Sequence, residues 1–146
     1  MKIIRMKATF GGLDHRELEL KEGLNIIEAP NEGGKSTWSA FLRAMFYGIN
    51  TKERDKQGYI AEKNRYQPWN SGAMEGVVEL EWKGEGITLR RGPKGNTPFG
   101  KFEAVYTDTG EPVGFLTADN VGETLIGAPR EVFERSAFVG QGGAAI

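Results

Sequence analysis

Residues 31–37 read Asn-Glu-Gly-Gly-Lys-Ser-Thr, and they hold the clearest chemistry in this chain. Adjacent glycines let backbone N–H groups close on a phosphate with no Cβ in the way. A lysine after them brings a mobile point charge to the outer phosphates, and a serine hydroxyl after that is a ligand for Mg²⁺. Gly33, Gly34, Lys35 and Ser36 stand in that order. The full phosphate-loop pattern, G-x-x-x-x-G-K-[ST], also asks for a glycine at position 29. Ala29 stands there, where the chain leaves an apolar run, and a methyl group is tolerated at negative φ. Glu32 is the odd member, since a carboxylate repels phosphates. Its side chain is expected to point to solvent.

Such a loop works between a strand and a helix, whose N-terminus adds unpaired N–H groups and the positive end of its dipole. Both flanks are present in pattern. "GLNIIEA", residues 23–29, is a short apolar run of the kind a central buried strand shows. From Ser36 onward, Trp38, Phe41, Leu42, Met45 and Phe46 recur at helical spacing, and Gly48 stands where a C-cap would. Upstream, "IIRMKATF" alternates, with Ile4, Met6, Ala8 and Phe10 on one face and Arg5, Lys7 and Thr9 on the other. "GGLD" reads as a turn, and "RELELK" as a second strand with Leu18 and Leu20 inward.

Residues 49–75 are polar and without period, which makes them a long surface loop, and long ordered loops tend to be functional. Then "GVVELEW" and "GITLRRG" form a hairpin around "KGEG", with Val78, Leu80 and Trp82 on one face. "KFEAVYT" and "EPVGFL" repeat the pattern around "DTG". A short helix to Ile126 and another opening near Pro129 follow, and "SAFVGQ" reads as an apolar strand ending in Gln141. Antiparallel strands after the helix are unlike small GTPases and nucleotide kinases. "DNVG", Asp119 to Gly122, fits the D-x-x-G of GTPases, but no N-K-x-D guanine motif exists in the chain, so it reads as a helix start. "AVYTD", ending at Asp108, imitates a metal-binding strand end, but Thr109-Gly110 follows and a hairpin turn is expected.

The 146 residues are enough for one domain with a real core. A net charge of −1 excludes a global basic footprint for coating nucleic acid. With no cysteine, disulfides and thiolate sites are excluded, and a reducing cytoplasm is the expected location. The charged N-terminus is neither a signal peptide nor a membrane span, so no membrane partner is expected.

Together, "EGLNIIEAPNEGGKST", "FLRAMFYGI", "RYQPW" and "RSAFVGQGG" resemble the N-terminal ATP-binding lobe of SMC/SbcC-type ATPases of the ABC class. The loop variants look most like the bacterial YhaN-like branch. The resemblance spans nearly the whole chain. It implies an α/β fold leaning to α+β: a mixed sheet around the phosphate-loop (Walker A) helix, with an added antiparallel β-subdomain. Residues 1–146 would be one lobe, divided into 1–48 (strands, loop and helix), 49–75 (long loop), 76–116 (antiparallel strands) and 117–146 (short helices and a Q-loop strand). It also implies ATP and Mg²⁺, with Asn31, Glu32, Gly33, Gly34, Lys35, Ser36 and Thr37 around the phosphates. Lys35 would serve the β- and γ-phosphates, Ser36 the metal, and Thr37 an inner phosphate. Gln141 would contact Mg²⁺ and the attacking water, a task that suits an amide able to donate and accept.

Lys63 and Arg65 are either counterparts of a basic loop near nucleotide or DNA, or solvated loop charges. Tyr66 and Trp69 are expected to anchor the long loop rather than offer a stacking surface. Gly11 and Gly12 replace an Arg and a Ser that related heads often carry. A signature motif, a catalytic glutamate and a switch histidine are absent from these residues. The resemblance assigns them to a C-terminal lobe and a second head, with DNA and a nuclease subunit as further partners. Such a lobe hydrolyses ATP only when completed; the alternative is a non-catalytic, ATP-gated dimerisation module.

Overall fold

Strand β1, Lys2–Phe10, pairs antiparallel with β2, Leu13–Glu19, on one side and with β3, Glu75–Trp82, on the other. In the computed structural model the described residues are 1–20, 32–49, 54–57, 60, 61, 64, 66–68 and 72–130, with 32–36 described in backbone only. Strands β4, Glu85–Lys94, and β5, Thr97–Tyr106, extend the sheet to the order β2-β1-β3-β4-β5, antiparallel throughout. Helix α1, Glu32–Tyr47, and the short α2, Val121–Ile126, complete the described elements.

Cross-strand rows show why one face is core. Leu18, Met6, Val78, Leu89 and Ala104 stand in register across the five strands, and Ile3, Leu80 and Ile87 form a second apolar row. The opposite face is charged. Arg5 lies 3.1 Å from Glu19, 3.6 Å from Glu17 and 3.8 Å from Glu79, and Arg90 lies 3.7 Å from Glu103. Exposed pairs of this kind add little stability each. They keep the outer face wet, as an antiparallel sheet with one buried side allows.

The alternation expected for β1 slips at one place. Ile3, not Ile4, shares the buried face with Met6, Ala8 and Phe10; Ile4 is 41% exposed. The register moves from Ile3 opposite Leu80 to Arg5 opposite Glu79, so Ile4 is an extra residue in the ladder. Such a bulge reverses the parity of everything before it. Leu18 in β2 and Leu20 just after it are partly buried against the core as expected, but the strand starts earlier, at Leu13, and ends at Glu19.

Helix α1 covers the buried face with Phe41, Leu42, Met45 and Phe46, all without solvent exposure. It meets the row Ala8, Gly76, Arg91 at Gly76 and Arg91. A Cβ placed on Gly76 would lie 2.4 Å from Phe41 Cε1 and 2.6 Å from Met45 Sδ. Its far end receives α2, where a Cβ on Gly122 would lie 2.4 Å from the Tyr47 ring and 2.7 Å from the Phe46 carbonyl oxygen. Gly48 takes a left-handed φ of 80° and its N–H bonds the Ala44 carbonyl at 2.8 Å, which ends α1 at the expected position.

The strands expected as a separate antiparallel subdomain are continuous with β1 and β2 in a single sheet. Of "EPVGFL", one bridge forms, Val105 to Pro112, and no strand; β5 pairs with β4 instead. The "KGEG" hairpin is as expected, with Lys83 and Gly84 both at positive φ, the pairing that suits a two-residue turn. The mixed character of the sheet rested on residues 23–29, and the later helix and strand on 129–141. Apart from Pro129 and Arg130, these lie outside the described residues.

Gly76→Ala is therefore expected to cost about 1–3 kcal/mol through overpacking against the buried Phe41 ring. Gly92→Ala, where a new Cβ meets nothing within 4 Å, is the matched control and is expected to be near neutral. Urea unfolding of both variants checks this.

Candidate functional site

Helix α1 begins at Glu32, four residues before the Ser36 start that the apolar spacing suggested. Glu32, Gly33, Gly34, Lys35 and Ser36 therefore make up its first turn and the beginning of the next. The apolar period could not reveal this, because a helix's first turn need not face the core, and Trp38 is the first buried residue of α1 described. The first four N–H groups of a helix lack intrahelical partners. Within α1 they fall on residues 32–34, two of them glycines with no Cβ. The donors and the positive dipole end fit an anionic phosphate chain. ATP with Mg²⁺ is thus compatible with these residues, with Lys35 and Ser36 as the candidates to hold phosphate and metal.

Two further segments come to this end of α1. The turn after β1 has Gly11 at φ 58°, and its N–H donates to the Tyr66 carbonyl at 2.7 Å. A Cβ on Gly11 would stand 3.6 Å from Thr37 Cγ2 and 3.5 Å from Tyr66 Cδ1. So the turn, Thr37 and the long loop meet at one point. The Tyr66 ring stacks on Phe10 at 4.9 Å and 17° between planes. Phe10 in turn meets Phe41 edge-on at 5.6 Å and Phe99 at 6.0 Å. Tyr66 is thus an anchor of the loop to the body, as its aromatic character suggested. Farther along the loop, Asp55 Oδ1 accepts from the Ala61 N–H at 2.8 Å and from Asn64 Nδ2 at 3.1 Å. Asn31, Lys63, Arg65, Trp69 and Gln141 lie outside the described residues.

The opposite end of α1 is held by a residue that pattern reading passed over. Arg91 is 5% exposed; its Nε donates to the Met45 carbonyl at 2.8 Å and its Nη2 to the Ala118 carbonyl at 3.0 Å. Its guanidinium lies over the Phe102 ring at 4.8 Å. A cation at a helix C-terminus meets the negative dipole end and bonds carbonyls the last turn leaves open. Burial lowers the Arg91 pKa to about 10, against an opposing pull from Asp119. The group is therefore charged at neutral pH. Because the folded pKa is below the free value, the unfolded chain holds this proton more tightly, and the contribution to stability rises as pH climbs through 10. In the sequence, the alternation Ile87, Leu89, Arg91 puts Arg91 rather than Arg90 on the inner face, but nothing in it shows that this arginine caps α1.

Both decoys resolve structurally. Asp119 and Asn120 form a turn on Thr117, whose Oγ1 accepts from their N–H groups at 3.3 and 3.1 Å. Gly122 serves the close approach of α2 to Tyr47. Asp108 is exposed in the turn after β5. No described helix is long and apolar enough to cross a membrane.

Residues 1–67 match the family described as AAA domain. The matched segment contains β1, β2, the glycine-lysine-serine stretch, α1 and Tyr66, and it ends before β3. This supports a P-loop ATPase family and nucleotide binding, and ATPases of this kind generally use ATP with Mg²⁺. No curated protein matches the chain.

Replacing Arg91 by Met is expected to cost about 1.5–3 kcal/mol, since the buried Met45 carbonyl and the partly buried Ala118 carbonyl lose a charged donor. Arg91→Lys should recover part of that, because an ammonium cannot fork to both oxygens while stacking on Phe102. Chemical denaturation of the two variants gives the comparison.

Proposed function

We propose that this chain binds Mg-ATP as the N-terminal half of an SMC/SbcC-like ATPase head of the YhaN-like branch. The observation that carries the reading is Gly33-Gly34-Lys35-Ser36 at the start of α1, inside the segment that matches the AAA domain. Lys35 neutralises the outer phosphates, Ser36 ligates Mg²⁺, and Thr37 bonds an inner phosphate. Asn31, Glu32, Gly33 and Gly34 line the phosphate path with backbone donors. Gln141 orients the attacking water and touches the metal, and the resemblance gives Arg65 the role of a basic loop residue serving the nucleotide.

Hydrolysis requires a C-terminal lobe and a second head, which supply the signature motif and the catalytic glutamate. Work on DNA in repair or chromosome maintenance, with a nuclease subunit as partner, follows from the resemblance. A cysteine-free chain suits the reducing cytoplasm in which such heads would act.

Lys35→Ala is expected to remove a charge-assisted contact of roughly 1.5–3 kcal/mol, weakening ATP by on the order of 10 to 150-fold. Isothermal titration of the folded variant reads this directly, and unchanged affinity would sink the assignment. In the same titrations ATP is expected to bind more tightly than GTP, given the missing guanine motif.

A further inference from the structure

A cavity of about 470 Å³ opens next to the loop that carries Tyr66, and nothing above uses it. Residues of the long loop wall one side, and the tip of the β4–β5 hairpin walls the other. Asn64, Gln67, Asn96 and Thr97 bring amide and hydroxyl groups to the lining, and buried Pro68 and Met74 give it an apolar part. None of its described lining residues is charged. Among these described residues a phosphate or a metal ion would find no counter-charge. A planar, uncharged ring with donors and acceptors around its edge would find apolar contact and amides that can offer either role.

Both walls are fixed to the same ring. Gln67 and Pro68 directly follow Tyr66, which stacks on Phe10 and whose carbonyl is bonded by Gly11. Thr97 and Pro98 directly precede Phe99, which is held at φ 55° with its ring 6.0 Å from Phe10. Positive φ in a bulky aromatic residue is strained, and such strain persists only where its surroundings impose it. Phe10 itself precedes Gly11, the residue that lies against Thr37 at the start of α1. The cavity is thus built on the aromatic cluster that also positions the phosphate end of the helix.

We propose that this cavity takes the heterocyclic base of the nucleotide whose phosphates the start of α1 holds, an inference that rests on the phosphate assignment above. The experiment is methyl NMR on the chain labelled with ¹³C-methyl methionine, in Mg²⁺, with either ATP or inorganic tripolyphosphate added. The Met74 methyl signal, assigned with Met74→Leu, is expected to shift with ATP and to stay in place with tripolyphosphate.

In parallel, Thr97→Trp fills the cavity from an exposed position on the hairpin. It is expected to weaken ATP by about tenfold or more, the scale of losing one base-stacking site, while tripolyphosphate binds as before. If Thr97→Trp does not fold, the Met74 signal decides alone. Met74 unmoved while both ligands bind, or moved equally by both, overturns the base site and leaves the phosphate site standing. Binding of neither ligand by the parent chain overturns the phosphate assignment and this proposal with it.

Discussion

Helix α1 can lie on the sheet only because residue 76 has no side chain. Phe41 and Met45 occupy the space a Cβ would need, so the helix sits lower over β3 than any other residue there would allow. Its neighbours in the same row are Ala8, which is buried, and Arg91, long enough to reach the Met45 carbonyl at the helix end. This contact sets where the helix ends fall. One end comes to the turn at Gly11 and the other to the C-terminal part of β4.

The two ends are treated oppositely. At the C-terminus, the Met45 carbonyl is bonded by a buried guanidinium, and α2 closes on Tyr47, whose hydroxyl donates to the Ala128 carbonyl at 2.6 Å. At the N-terminus, the first turn carries adjacent glycines and is met by a glycine turn and an anchored loop. A helix whose negative end is already satisfied and held by packing keeps its positive end in a fixed place. That is what a phosphate site requires, since the donors must be in position before the ligand arrives.

The aromatic cluster around Phe10 ties the rest together. Through it, β1, α1, the long loop and the β4–β5 hairpin share one contact centre made of Phe10, Phe41, Tyr66 and Phe99. Rings stacked or edge-on at these distances add about 0.5–1.5 kcal/mol per pair beyond their buried area. The strained backbone at Phe99 is the cost of bringing β5 into that centre. The charged outer face takes no part in it, which leaves the inner face alone to define the site.

The sequence by itself determined the local elements. The periodicity of Trp38 to Phe46 marked the helix, Gly48 its end, and the "KGEG" stretch its hairpin, because each of these depends on neighbours a few residues apart. The order glycine, glycine, lysine, serine at a helix start was likewise legible, since that chemistry is written in consecutive residues. What only the tertiary structure decided depends on distant segments. The bulge that turns Ile4 outward exists only against β3. The joining of all five strands into one sheet, the capping of α1 by Arg91, and the meeting of Gly11, Thr37 and Tyr66 are of the same kind. Each is settled by strand register and close packing between residues tens of positions apart, and no local pattern in a chain records which of its distant parts will touch.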